Sequence, residues 1–316
     1  MVQKYRSDLE VRLEELVKQS AEEAVAGAGK FAVALSGGSD SGLMVALTET
    51  ENAITVKLPF GEMYDEFADA RLTVRRLGIP NHLVVLPDHA EFDAAMRVAV
   101  PLVGRVTRHF SLFPLYKVFE RLAEEGFDSL VFGDGPDESM CGYIRCVFLD
   151  HIYNAPRNIP TFSYYQGHFD KLPPPWEIYA KTMDRDPEEI RVLMEGESLI
   201  RGMGRVEMTL TRADVGGICD IFGEHFGIRI LRPYMEPEVD RFMFELPDEM
   251  KIHNHWGKYL LRRVAAGYLP KKIVWRRRKM GGPVYPVNVL QGWLEKGEFN
   301  KDRYLEYQRE ILRSAS

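Results

Sequence analysis

The chain is 316 residues long, 45% apolar and 28% charged, with a formal net charge of −6. Those values describe an ordered globular protein, either one large α/β domain or a core with a helical appendage, and they exclude disordered and fibrous classes. The acidic balance makes a nucleic-acid partner unexpected, because a polyanion normally demands a basic excess.

Ser7 followed by Glu10 forms a capping box, and Leu9, Leu13, Leu16 and Val17 then recur at helical spacing. This predicts one amphipathic helix within residues 1–27, stopped at Gly27. Residues 31–35 form an apolar run of strand type, and 41–47 resume with helical character. A second strand is predicted over 54–58, then a helix over 65–77 with acidic residues at its positive end and Gly78 beyond it. The alternation continues with a strand over 82–86, a helix opened by Asp88 and Glu91 and closed by Pro101, a helix over 115–125, and a fourth strand over 129–132. Alternation at such short spacing argues for a parallel sheet with helices on its faces. Residues 154–176 hold Pro156, Pro160, the proline run 173–175 and several aromatics, and read as an irregular excursion. From Pro187 onward the patterns are mostly helical. The expected layout is one domain: a helix over 1–27, a core over 28–150, an irregular insertion over 151–186, and a helical part over 187–316 that completes the site.

Cys141, Cys146 and Cys219 are an odd, sparse set that fits a reducing compartment better than a disulfide framework. The N-terminus MVQKYRSDLE shows no basic-then-apolar leader, and no apolar run approaches the ~20 residues of a membrane span. A cytoplasmic protein with no membrane partner is expected.

The stretch FAVALSGGSDSGLMVAL, 31–47, sets small polar residues between two apolar runs. Small residues at the carboxyl end of a strand let backbone N–H groups approach a phosphate, and the following helix adds the positive end of its dipole. The GxxxxGK of the commoner phosphate loop is absent; Asp40 stands there instead, and a carboxylate beside a polyphosphate implies Mg²⁺ between them. Taken alone, the Gly-Gly pair is equally well a tight turn with Asp or Ser capping the helix. The stretch SLVFGDGPDESMCGY, 129–143, repeats the plan of strand, glycine loop and acids. In a parallel sheet its strand ends at the same edge as the first, and Asp137 could then reach the same Mg²⁺ as Asp40.

SGGSDS is similar to the SGGxDS signature of the PP-loop ATP pyrophosphatases, and GDGPDESMCGY resembles the SGEGSDELFGGY of the asparagine synthetases. LRPYME (231–236) resembles that family's RxPFLD, GKYLLR (257–262) its KxxLR, and RRKMGGPVYP (277–286) its RxKxGFxxP ending. The resemblance is to the synthetase domain, standing alone without the glutaminase domain. It implies a PP-loop fold, an adenine nucleotide α-hydrolase-like and Rossmann-like parallel sheet with a helical C-terminal part. It also implies a reaction: ATP·Mg²⁺ is bound, a substrate carboxylate attacks the α-phosphate, pyrophosphate leaves, and an amine displaces AMP to form an amide.

Carried over by residue, Ser36, Gly37, Gly38, Asp40 and Ser41 hold the pyrophosphate portion, and Asp40 and Asp137 hold Mg²⁺. Lys57 touches the adenine side through its backbone, Gly133 lies near AMP, and Lys279 contacts pyrophosphate. A fixed cation at that last position favours the transition state, where charge builds on the leaving oxygens. Asp134 and Glu138 are the expected groups that position or deprotonate the amine. Asp134 stands where asparagine synthetases have Glu and β-lactam synthetases Tyr, and Glu236 replaces an aspartate, so a carboxylate other than aspartate is expected. Val2 follows Met1 where glutamine-dependent members carry a catalytic cysteine. The nitrogen is therefore expected from ammonia, an amine, or a separate glutaminase subunit; a homo-oligomer is compatible, since members often pair.

Other readings stay open. The run Arg276, Arg277, Arg278, Lys279 is a solvated face, a nucleic-acid patch or, favoured in an acidic chain, a polyphosphate clamp. A helix beginning at His255 would expose Lys258 in its first turn, as an ion pair or a phosphate contact. His253 and His255 have metal-like spacing but no third ligand, and read as a turn. Cys141 beside the second loop suits a PP-loop sulfurtransferase acting on tRNA. A non-catalytic ATP-binding subunit is the third alternative. Tyr164, Tyr165 and Trp176 are candidates for an acceptor pocket or lid.

Overall fold

The computed structural model describes residues 7–57, 66–108, 110–154, 172–276 and 301–315. Five short strands make a parallel sheet: β1 (Phe31–Ala34), β2 (Asn52–Val56), β3 (Asn81–Val85), β4 (Ser129–Val131) and β5 (Arg229–Leu231), in the order β3-β2-β1-β4-β5. Every neighbouring pair is parallel, and Val33 lies opposite Ala53 on one side and Val131 on the other. The central strands read FAVA and SLV without polar alternation, as a sheet buried on both faces requires, and β4 is buried throughout.

From β1 the chain steps outward to β2 and β3, then returns to lay β4 on the other side of β1. That reversal creates a switch point between the carboxyl ends of β1 and β4, where successive loops diverge and leave a crevice. Both glycine loops emerge there.

The helices preceding and linking these strands are α1 (Asp8–Val25), α2 (Ser39–Leu47), α3 (Phe67–Leu77), α4 (Phe92–Val103) and α5 (Leu112–Glu124). Ser7 caps α1, its Oγ accepting from Glu10 N at 3.3 Å, and Gly78 ends α3 in the left-handed region, both as the sequence predicts. Two further helices follow β4, α6 (Pro136–Ser139) and α7 (Ile144–Asn154). The predicted bounds 54–58 and 65–77 run onto residues outside the described set.

Three expectations need correction. Helix α4 does not close at Pro101 but continues to Val103, with Gly104 as its left-handed cap. A proline in the last turn keeps a helical φ and forfeits one backbone hydrogen bond, a loss the buried face of α4 offsets. Trp176 is not in an irregular stretch: Pro174 and Pro175 open a helix over Pro175–Met183, proline being well suited to a first helical position. The third is β5, a three-residue edge strand in a stretch read as helical.

The described residues fall into two compact units. The larger takes 14–134, 214–234 and 264–316 and contains the sheet; the smaller takes 1–13, 135–213 and 235–263. In the larger unit, aromatic rings from α4, α5 and the helix Arg212–Phe226 interlock. Phe92 meets Phe113 edge-on at 5.3 Å between centroids, and Phe119 meets Phe222 at 5.9 Å. The smaller unit packs Cys141, Cys146, Tyr179, Ile190 and Met203 into its own core and carries a hairpin of β6 (Ile252–His253) and β7 (Trp256–Gly257). Among the described residues no helix is long and apolar enough to cross a membrane.

Phe119 is fully buried among these rings. Phe119→Ala is expected to cost about 3–5 kcal/mol in urea-induced unfolding; a loss under about 1 kcal/mol would show that the aromatic cluster is not the centre of this core.

Candidate functional site

The tip of β1 is built for close approach. Gly37 has φ +77°, and a Cβ there would stand 2.7 Å from the Glu66 carbonyl oxygen, so the turn admits glycine alone. Gly38 enters α2 with extended backbone, and no side chain caps the first turn. The uncapped N–H groups and helix dipole form an anion-seeking end at the crevice between β1 and β4. On the β4 side, a Cβ on Gly133 would lie 2.8 Å from Ser41 N and 2.9 Å from Ser41 Cα. The two loops are thus packed backbone against backbone.

Hydrogen bonds fix this cradle. Ser36 N donates to Ser41 Oγ at 3.2 Å, the two hydroxyls lie 3.1 Å apart, and Ser39 Oγ donates to Asp40 Oδ1 at 3.0 Å. Tyr234 OH donates to the Asp40 carbonyl at 3.2 Å. Burial pushes this phenol well above its ordinary range, and the Asp40 charge adds to the effect, so Tyr234 remains a donor. Its role is invisible in LRPYME, where a phenylalanine would serve equally for packing.

Ser36, Gly37, Gly38, Asp40, Ser41 and Gly133 are therefore brought together. Lys57 follows the next strand: its backbone N donates to Val85 O at 2.9 Å, and its ammonium lies 5.2 Å from the Phe67 ring centre. Asp134, the last residue of the larger unit on this side, helps raise the thiol of Cys219 to about 12, after the larger effect of burial. Arg276 is held by Glu66 and by Asp69 at 3.3 Å, with its guanidinium 3.6 Å from where a Gly38 Cβ would stand. Of the basic run, Arg276 alone is described; Lys279, like Tyr164 and Tyr165, lies outside the described residues.

In the smaller unit, Gly135 takes φ +117° and turns the chain into α6, which carries Asp137 and Glu138. Asp137 Oδ1 is 2.6 Å from Lys258 Nζ. The expectation that Lys258 is exposed in a helical first turn is wrong. It follows the β6–β7 hairpin in the left-handed region, is buried, and its backbone N donates to Met140 O at 3.2 Å. Of the two roles left open for it, the geometry displays the ion pair. Glu138 is also buried, and its Oε1 accepts from Tyr143 OH at 2.5 Å.

Sequence reasoning missed a dense polar cluster among the described residues of this unit. Glu207, fully buried, opens a π-helical turn, Glu207–Thr211. It accepts from Arg145 through both carboxylate oxygens, from Tyr179 OH, and from Thr211 Oγ1 at 2.5 Å. The one available signal was a glutamate and an arginine at otherwise apolar helix positions. Nearby, Arg212 makes a two-pronged pair with Asp240 at 2.7 and 2.8 Å.

The two expected magnesium ligands, Asp40 and Asp137, belong to different units, and each is described within its own. Among the described residues no three or more His, Cys, Asp or Glu side chains gather as a metal cage. Asp40 is still a fitting donor, because Mg²⁺ on a nucleotide takes one or two carboxylates beside phosphate oxygens and water.

Compared with known proteins, residues 12–304 match the family model described as asparagine synthase. A putative asparagine synthetase [glutamine-hydrolyzing] of Mycobacterium tuberculosis is 24% identical over 311 residues, covering 84% of this chain and 46% of the relative. Asparagine synthetase [glutamine-hydrolyzing] 1 of Bacillus subtilis is 34% identical over 83 residues, 26% of this chain and 11% of the relative. The chain thus spans less than half the length of these curated relatives. Among solved structures, NMN synthetase from Francisella tularensis aligns with a TM-score of 0.31 and 15% identity, over 70% of this chain and 94% of that one.

Gly133→Ala should force β4's loop off the first turn of α2. We expect nucleotide affinity, read by calorimetric titration with ATP, to fall at least about tenfold while the melting temperature changes by only a few degrees. Affinity equal to the parent's would mean the contact is dispensable. Tyr234→Phe removes one hydrogen bond and should cost about 1 kcal/mol of stability in chemical denaturation, with the fold retained.

Proposed function

Because the chain belongs to the asparagine synthase family, a family of ATP-dependent ligases, we propose that it activates a small carboxylic acid with ATP and joins it to ammonia or an amine as an amide. The observation that carries this reading is the cradle at the β1/β4 switch point, where an uncapped helix end, two glycine backbones and two serine hydroxyls converge beside Asp40. A polyphosphate is the ligand whose charge suits it.

In the first step an oxygen of the acid bonds to the α-phosphorus, the bond to the bridging oxygen breaks, and pyrophosphate departs with the electron pair. The first-turn N–H groups of α2 with Ser36 and Ser41 receive the growing negative charge, and Lys279 is assigned to the departing group. Lys57 and Gly133 are assigned to the nucleoside side. Asp40 and Asp137 are assigned as the carboxylates that would hold Mg²⁺, which would supply charge neutralisation on the phosphate oxygens. In the second step the amine nitrogen bonds to the acyl carbon and the bond to the AMP oxygen breaks with its electron pair. The proton lost from nitrogen goes to a carboxylate, for which Asp134 and Glu138 are assigned. Asp134 and Glu236, each differing from the asparagine synthetase pattern by one methylene, favour an acid other than aspartate.

Sulfur transfer is the weaker reading. Cys141 is buried, its Sγ donates to Ile200 O at 3.2 Å, and its hydrogen bond with Cys146 together with burial holds the thiol well above its ordinary value. A persulfide carrier needs an accessible thiolate.

The test is acid-dependent exchange of labelled pyrophosphate into ATP, screened over small carboxylic acids, because exchange isolates the first step from the amine. At least one acid should support it, and Asp40→Asn should lower the rate by about 100-fold or more. Tight ATP binding with no exchange for any acid would leave a nucleotide-binding subunit in place of an enzyme.

A further inference from the structure

The first turn of α3 stands directly against the glycine loop. The Cβ that Gly37 lacks would meet Glu66 O at 2.7 Å, Ala70 N at 3.1 Å and Asp69 Cβ at 3.2 Å, so Glu66 and Asp69 flank the cradle. Two carboxylates beside a place that suits an anion would, left alone, repel one. Arg276, which follows the short helix Lys271–Val274, answers them: it donates to Glu66 Oε1 and, at 3.3 Å, to Asp69 Oδ2. All of these residues belong to the larger unit.

A staple between two helices needs one cation and one acid, and contributes little where it is partly exposed. Arg276 is placed for more than that. The point where a Gly38 Cβ would stand lies 3.3 Å from Ser36 Oγ and 3.6 Å from Arg276 Nη2, so a hydroxyl and a guanidinium overlook the same glycine. Gly38 N in turn donates to Ser36 Oγ at 3.4 Å. An oxygen lodged over Gly38 comes within reach of both side chains. The bonds to Glu66 and Asp69 use two of the five N–H donors of a guanidinium, whose fork matches the oxygens of a phosphate. The acids can also release it. Asp69 Oδ1 lies 3.5 Å from Lys272 Nζ, and both acids stand at the start of α3, where the helix dipole favours negative charge.

We infer that Arg276 is a phosphate-binding residue of the cradle, held by Glu66 and Asp69 until a polyphosphate arrives and then turned over Gly38 onto its phosphate oxygens; this rests on the nucleotide reading above. Arg276 precedes the stretch RRKMGGPVYP, so the family motif assigns it nothing. The need for it is electrostatic. SGGSDS has no lysine of its own, and it offers a polyanion neutral N–H and hydroxyl groups beside the negative Asp40. Cations must reach the loop from elsewhere in the chain, and Arg276 is already there.

Calorimetric titration of the full chain with inorganic pyrophosphate and with ATP, each with Mg²⁺, tests this. Arg276→Gln should weaken binding of both by about tenfold or more, the scale of charge-assisted hydrogen bonds. Arg276→Lys, which keeps the charge but loses the fork, should weaken it less. The double variant Glu66→Gln/Asp69→Asn separates a ligand from a staple, because it removes the same ion pairs and leaves the cation. It should bind pyrophosphate at least as tightly as the parent does; if it fails to fold, Glu66→Gln alone makes the same distinction. Affinity lost in the acid variant as far as in Arg276→Gln would mean that the ion pairs only brace the loop, and would overturn the inference. Parent-like pyrophosphate binding by Arg276→Gln would overturn it too. A parent that binds neither pyrophosphate nor ATP would remove the nucleotide reading and this inference together, whereas binding that ignores Arg276 would remove this inference alone.

Discussion

The contact of Gly133 with the first turn of α2 is the constraint on which the larger unit's chemistry depends. A parallel sheet has its switch point wherever the chain reverses direction across it, and walls of bare backbone there let N–H groups approach a phosphate closely. A side chain at residue 133 would meet Ser41 N, and one at residue 37 would meet Glu66 O. Glycine at both places brings N–H groups to the surface of the crevice and leaves the positive end of α2 without an internal cap. What stability the uncapped turn forfeits is offset by Tyr234 beneath it and by the burial of most of α2.

The smaller unit solves a different problem, that of keeping several ionisable groups inside protein. Asp137, Asp240 and Glu207 meet Lys258, Arg212 and Arg145 respectively, so each charge is matched within hydrogen-bonding distance. Lys251, fully buried, directs its ammonium to the Phe244 carbonyl, and burial holds its pKa below the ordinary lysine value. Such matching in a low-dielectric interior makes orientation sharp, since any displacement strands a charge. Cys141 and Cys146 of this unit are buried as well, and a hydrogen bond with Cys146 together with burial pushes the Cys141 thiol upward.

Much of the larger unit was legible in the sequence because its signals are local. The apolar runs of β1 to β4, the glycines ending α1, α3 and α5, and the small residues of SGGSDS each report on a few neighbouring positions. Errors fell where one local rule was outweighed by another. Pro101 signals a helix end, yet α4 continues for two residues because its apolar face is still packing. The strand β5 is too short to show a period, and a strand of three residues exists only because β4 offers it a partner. Lys258 was misplaced because a two-strand hairpin of so few residues leaves no pattern, and the left-handed backbone there has no glycine to announce it.

Sequence alone determined the class of the sheet, the positions of both glycine loops, the family motifs that run through the chain, and the acids that stand beside those loops. These are properties of order along the chain, where spacing and residue type carry the physics. Only the tertiary structure decided that Gly133 rests on Ser41, that Tyr234 holds Asp40, and that Arg145, Tyr179 and Glu207 form one connected cluster. Those contacts join residues far apart in the chain or buried in unremarkable helical patterns, and their energy comes from burial and charge matching that exist only once the chain is packed.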